Sequence, residues 1–121
     1  FFYPTGDNQV KMTPRFSRYF EEAEIVAGDF HFIRKYMPAR LDGKLIITNT
    51  VTQHDEKLLQ DRGVKTLITT TPEIGGRSLG TNVLEGVLVA LSGKSSEELT
   101  LNDYERILDQ INITPRIKRL S

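Results

Sequence analysis

The chain has 121 residues, and 16 Lys+Arg balance 16 Asp+Glu to give a formal net charge of zero. That balance argues against a nucleic-acid footprint and against a polybasic membrane surface. No apolar run approaches the ~20 residues that cross a bilayer, and the absence of cysteine removes disulfides, thiolate chemistry and cysteine-held metals.

Residues 1–12 read as a lead-in or linker, because Pro4, Gly6, Asp7 and Asn8 are turn formers without periodicity around them. Phe1-Phe2-Tyr3-Pro4 resembles neither a native start nor a signal peptide. The expectation is one domain over 1–121, cut from a longer chain and cytoplasmic, in keeping with its lack of cysteine. Thr13-Pro14 predicts an N-cap and first helical residue, with Phe16, Tyr19, Phe20 and Ala23 on one face. Ile25-Val26-Ala27 is a β-type run closed by Gly28-Asp29. Phe30, Ile33 and Met37 return to helical spacing, and Pro38 ends that helix.

Asp42-Gly43 is a turn, and Lys44 to Asn49 (KLIITN) has the unbroken apolar core of a strand buried on both faces. Thr52 and Asp55 predict a capping box opening a third helix, with Leu58 and Leu59 inward and Gly63 as its stop. Val64 to Thr71 (VKTLITTT) is a third strand, followed by the loop PEIGGRSLGTN over 72–82. A helix is predicted over about 79–92, apolar around most of its circumference, and the surplus face calls for a preceding domain or a second copy to cover it. Thr100 caps a last helix with Tyr104, Leu108 and Ile111 inward, and Ile113 to Ile117 forms an edge segment marked by Pro115. Strands alternating with helices define an α/β class, here a three-layer Rossmann-like domain with a small, mainly parallel sheet flanked by helices.

Open α/β sheets bind ligands beyond the carboxyl ends of their strands. Here those ends are Ala27-Gly28-Asp29, Thr48-Asn49-Thr50 and Thr69-Thr70-Thr71. Parallel pairing would gather Asp29, His31, Thr48, Asn49, Thr50, Thr70 and Thr71 with the 72–82 loop. Gly75, Gly76, Arg77, Ser78, Thr81 and Asn82 then form an anion site: glycines admit close approach, a helix N-terminus offers unpaired N–H groups, and Arg77 can fork onto a carboxylate or phosphate. The spacing GGRSLG is not a dinucleotide fingerprint, nor does a P-loop Lys-Ser/Thr follow. Asp29 and His31 are the candidate catalytic pair, the histidine moving protons with the carboxylate tuning it; the plainer alternative makes Asp29 the N-cap of a helix. His54 belongs to an exposed first helical turn, and Arg34, Lys35 and Arg40 to a solvated basic face. No metal site is expected from two histidines this far apart.

The stretches FYPTG (2–6), AGDFHFIRKYMP (27–38), GKLIITNTVT (43–52) and RGVKTLITTTPEIGGRSLGTNVLEGVLVALSGK (62–94) resemble the C-terminal part of the bacterial quinate 5-dehydrogenase, or quinate/shikimate dehydrogenase-like, family. The resemblance covers nearly the whole chain. It implies an oxidoreductase using NAD or NADP with a Lys/Asp acid–base pair. This chain carries neither the dinucleotide glycine pattern nor those Lys/Asp motifs. Either they lie in a preceding part of the longer protein, or the dehydrogenase label is spread by similarity and the domain is a non-catalytic metabolite-binding or assembly module.

Overall fold

The computed structural model describes residues 13–74 and 77–121, apart from the side chains of Ile74 and Arg77. The predicted lead-in over 1–12 and the pair Gly75 and Gly76 lie outside them. Helix α1 (Ser17–Glu22) is followed by strand β1 (Ile25–Ala27), helix α2 (Phe30–Tyr36), strand β2 (Leu45–Thr48), helix α3 (Gln53–Asp61) and strand β3 (Thr66–Thr69). The three strands run parallel in the order β1-β2-β3, as each intervening helix returns the chain to the same sheet end. Strand β6 (Arg116–Arg119) lies antiparallel beside β3, completing a four-stranded sheet.

Register explains which face is buried. Val26, Ile46 and Leu67 align across the sheet and point to one side. Ile46 and Leu67 are fully buried there against Phe30 and Ile33 of α2 and Leu59 of α3, with Met37, Leu41, Val51 and Val64 closing the core. On the opposite side Ala27, Ile47, Ile68 and Ile117 form one row. Ile117 is 71% exposed, Ile25 of the same face is 56% exposed, and Ile47 and Ile68 are half-buried. The expectation of a β2 strand buried on both faces is therefore corrected: its burial alternates, because α2 and α3 pack on one side only.

The first helix also departs from expectation. It starts at Ser17, with Phe16 as an uncapped N-cap in the left-handed region. The Thr13 N–H instead donates to the Lys35 carbonyl at 2.7 Å and that of Arg15 to Tyr36 at 3.2 Å, so residues 13–15 are tied to the end of α2. Phe16 and Tyr19 are exposed, and of the predicted aromatic face Phe20 packs on the core. By contrast, α2 ends at Tyr36 before Pro38, and α3 carries its Thr52–Asp55 capping box.

The described part of the 72–82 stretch is more ordered than a plain loop. It holds strands β4 (Glu73–Ile74) and β5 (Arg77–Ser78), paired antiparallel. Helix α4 (Thr81–Ser92) begins two residues later than its apolar stripe suggested, and helix α5 (Leu101–Gln110) packs against it. Val83, Val87 and Leu91 are exposed while Leu88 is buried. In α5 the buried apolar residue is Ile107; Ile111, read as inward, is exposed. No helix among the described residues is long and apolar enough to cross a membrane.

Candidate functional site

The carboxyl ends of the parallel strands meet as the strand-end residues suggested. Thr48 is buried at the end of β2, and its hydroxyl donates to the Gly28 carbonyl at 2.7 Å. Asn49 follows. Its carbonyl oxygen accepts from the Phe30 N–H at 3.4 Å, and its amide donates to the Asp29 carboxylate at 3.4 Å and to the Thr81 hydroxyl at 3.3 Å. One side chain thus ties the end of β1, the end of β2 and the start of α4.

Asp29 is the N-cap of α2, and its other carboxylate oxygen accepts from the His31 backbone N–H at 2.9 Å. The described bond runs to the histidine backbone, which is the helix-capping alternative for this pair. The His31 side chain is half-buried in the first turn of α2.

Thr50 has φ 42°, a left-handed backbone unusual for a β-branched residue. Thr70 is exposed; its N–H donates to the Thr48 carbonyl at 3.0 Å and its hydroxyl to the same oxygen at 3.4 Å. Thr71 is 3% exposed, and its hydroxyl finds no hydrogen-bond partner among the described residues. Ser78 is buried and bonds Val51 through both its backbone N–H and its hydroxyl, joining β5 to the segment after β2. Thr48, Thr71 and Ser78 therefore belong to the wall behind the edge, while Asn49, Thr70, Thr81 and Asn82 reach its surface. Arg77 enters through its backbone in β5.

Two helix N-termini near this edge differ in chemistry. Thr52 and Asp55 satisfy the first N–H groups of α3 reciprocally. Helix α4 has Gly80 as N-cap, with no side-chain cap and no acidic residue in its first turn. Among the described residues no side chain caps its leading N–H groups, and its positive dipole end lies beside the amide of Asn49. Among the described residues no group of His, Asp and Glu is arranged to hold a metal ion.

A second cluster had no sequence signal. Arg116 of β6 ion-pairs with both Glu56 of α3 and Glu73 of β4, and its Nε donates to the Thr69 hydroxyl at 3.4 Å. Lys118 joins Glu56 from the same face. Burial alone would raise the Glu56 carboxyl, but hydrogen bonds from Lys118 and Arg116 outweigh it and hold it below the ordinary glutamate range. Sixty residues separate Glu56 from Arg116, so no local spacing could reveal the pair. The basic face predicted at Arg34 is likewise corrected: Arg34 lies half-buried, 3.6 Å from Asp55, drawn in by that carboxylate. His54 is exposed, as its position in the first turn of α3 suggested.

A mainly parallel four-stranded sheet, with helices α2 and α3 on one face and a polar carboxyl edge, defines a small α/β domain. The chain belongs to the family described as Domain of unknown function (DUF8754), whose model matches residues 1–120. No curated protein and no solved structure matches it.

Proposed function

We propose that this is a Rossmann-like domain that binds a small anionic ligand, or the phosphate of a nucleotide, at the carboxyl edge of its sheet. The observation that carries the reading is the Asn49 bridge, which holds the uncapped N-terminus of α4 beside the ends of β1 and β2. A helix N-terminus in that position supplies backbone N–H donors and a favourable dipole to an anion. Thr81, Asn82 and Asn49 add neutral donors, and Arg77 a cation on the adjoining β5. Asp29 leaves one carboxylate nearby, engaged as the cap of α2, so the anion belongs on the α4 side of Asn49.

The alternative is an oxidoreductase part of the quinate/shikimate dehydrogenase type, favoured by the resemblance over 27–94, which includes Asp29, His31, Asn49 and the 77–82 residues. In that reading α4 holds a substrate carboxylate or an NAD(P) phosphate, and His31 moves the proton. The exposed Val83, Val87 and Leu91 of α4 supply the face for a neighbouring domain or a second copy.

Thermal unfolding with inorganic phosphate, quinate, shikimate, NAD and NADP tests both readings. A ligand at about 100 times its Kd adds ~2.7 kcal/mol to the stability of the native state. The binding reading expects at least one of these anions to raise the midpoint and Arg77→Ala to abolish the rise. A rise that survives Arg77→Ala, or none with any ligand, contradicts it. Turnover of quinate or shikimate with NAD(P) would decide for the enzyme.

A further inference from the structure

We propose that Arg116 is a positioning residue for the carboxyl-edge site: through Glu73 it holds the β4–β5 strand pair, and with it the first turn of α4, where the anion is received. The inference rests on the anion-site reading above. It adds what fixes the geometry of that site from β6, at the edge of the main sheet opposite β1.

The β4–β5 pair is a separate two-stranded sheet, so the ladder of the main sheet does not set its place. Glu73 and Ser78 face each other across it. Both are anchored. The Ser78 N–H donates to the Val51 carbonyl at 2.9 Å, and Glu73 ion-pairs with Arg116. One register position is thus tied on one side to the segment after β2 and on the other to β6. Leu79 follows, its N–H donating to the Pro72 carbonyl at 2.8 Å, and Gly80 is the N-cap of α4. A connection this short gives the cap little reach of its own, so it moves only if the strand pair moves.

Arginine suits the task because its planar guanidinium presents donors in several directions at once. Nη1 of Arg116 faces Glu73, Nη2 faces Glu56, and Nε donates to the Thr69 hydroxyl at 3.4 Å. Thr69 is buried at the end of β3, which fixes the guanidinium on the sheet. Lys118 shares Glu56. Two cations therefore meet two carboxylates, and each carboxylate can be removed by itself. Without the Glu73 charge, Arg116 and Lys118 keep Glu56 and the contact of α3 with β6. Without the Glu56 charge, Arg116 keeps Glu73. The two glutamates separate two tasks of one arginine: Glu56 joins α3 to β6, and Glu73 places the strand pair.

The test uses the full chain and the variants Glu73→Gln, Glu56→Gln, Arg116→Gln and the Arg116→Gln, Glu73→Gln double. Amide exchange is measured without ligand, with Val64 as the core reference; its N–H bonds the Leu59 carbonyl at 3.1 Å. Glu73→Gln should speed exchange at Ser78 and Leu79 about fivefold or more relative to Val64. Glu56→Gln should speed them no more than Val64. Arg116→Gln should reproduce the Glu73→Gln effect, and the double variant should add nothing to it. Titration with inorganic phosphate should then show binding weakened about fivefold or more in Glu73→Gln and unchanged in Glu56→Gln. The proposal is overturned if Glu73→Gln leaves Ser78 and Leu79 as in the parent, if Glu56→Gln has the same local effect, or if the two single effects add in the double variant. It is also overturned if the parent binds phosphate and Glu73→Gln binds it equally. Should Arg116→Gln fail to fold, the two glutamate variants decide. A parent that binds no phosphate contradicts the anion-site reading alone, and the exchange pattern then still decides whether Arg116 holds the strand pair.

Discussion

The Asn49 amide nitrogen lies 3.4 Å from the Asp29 carboxylate, so the ends of two neighbouring parallel strands are joined by one side chain. The same amide reaches Thr81 at the start of α4. Asn49→Asp would replace that donor with a second carboxylate facing Asp29. It should cost about 1–3 kcal/mol, the range for breaking a partly buried hydrogen-bond network. Urea denaturation checks it; an unchanged midpoint would mean that the bridge carries no energy.

The α4 N-cap offers a gain of stability coupled to a loss of binding. Gly80 has φ −70° and ψ 153°, which other residues adopt readily. A Cβ there would meet the Thr50 hydroxyl at 3.5 Å, an ordinary contact. Gly80→Asp should therefore cap α4, stabilise the free protein by a few tenths of a kcal/mol, and repel the anion. Thermal unfolding with and without phosphate reads both effects.

At the ends of α3 and α5, Thr52 and Thr100 each accept from the N–H three residues on, and Asp55 and Asp103 return the bond. Thr52→Ala and Thr100→Ala should each cost ~1 kcal/mol, and serine should restore most of it. Chemical denaturation of the two pairs of variants checks this.

Acid should act through Glu56. Its carboxyl sits below the ordinary range because Lys118 and Arg116 bond the charged form. A folded-state value below the unfolded one contributes stability that is complete above the unfolded pKa and is lost as the pH falls through the folded value. Glu56→Gln should be less stable than the parent near neutrality by about 1–3 kcal/mol, with the difference shrinking in acid. A gap that stays constant with pH would contradict this linkage.

The parallel order of β1, β2 and β3 was legible because each apolar run is punctuated by Gly28-Asp29, Asn49-Thr50 or Thr70-Thr71 and followed by a helical period. The α3 cap was legible for the same local reason: Thr52 and Asp55 stand three apart. The illegible parts depend on distant partners. Thr13 bonds Lys35 instead of capping α1, and β6 is drawn to β3 with Arg116 on Glu56. Arg34 is turned inward by Asp55, although its neighbours in sequence suggest solvent. At the site, Asn49 is legible as a strand-end residue, but its link to Thr81 spans 32 residues and depends on the fold.

The most direct test of ligand binding at the strand ends is a backbone amide titration of the 121-residue chain with phosphate, NAD and NADP. The account predicts that the largest shifts fall on Thr81, Asn82 and Val83 and on the Asn49 side-chain amide, and that Gly80→Asp removes them. Shifts confined to other surfaces, or none at millimolar ligand, would contradict it.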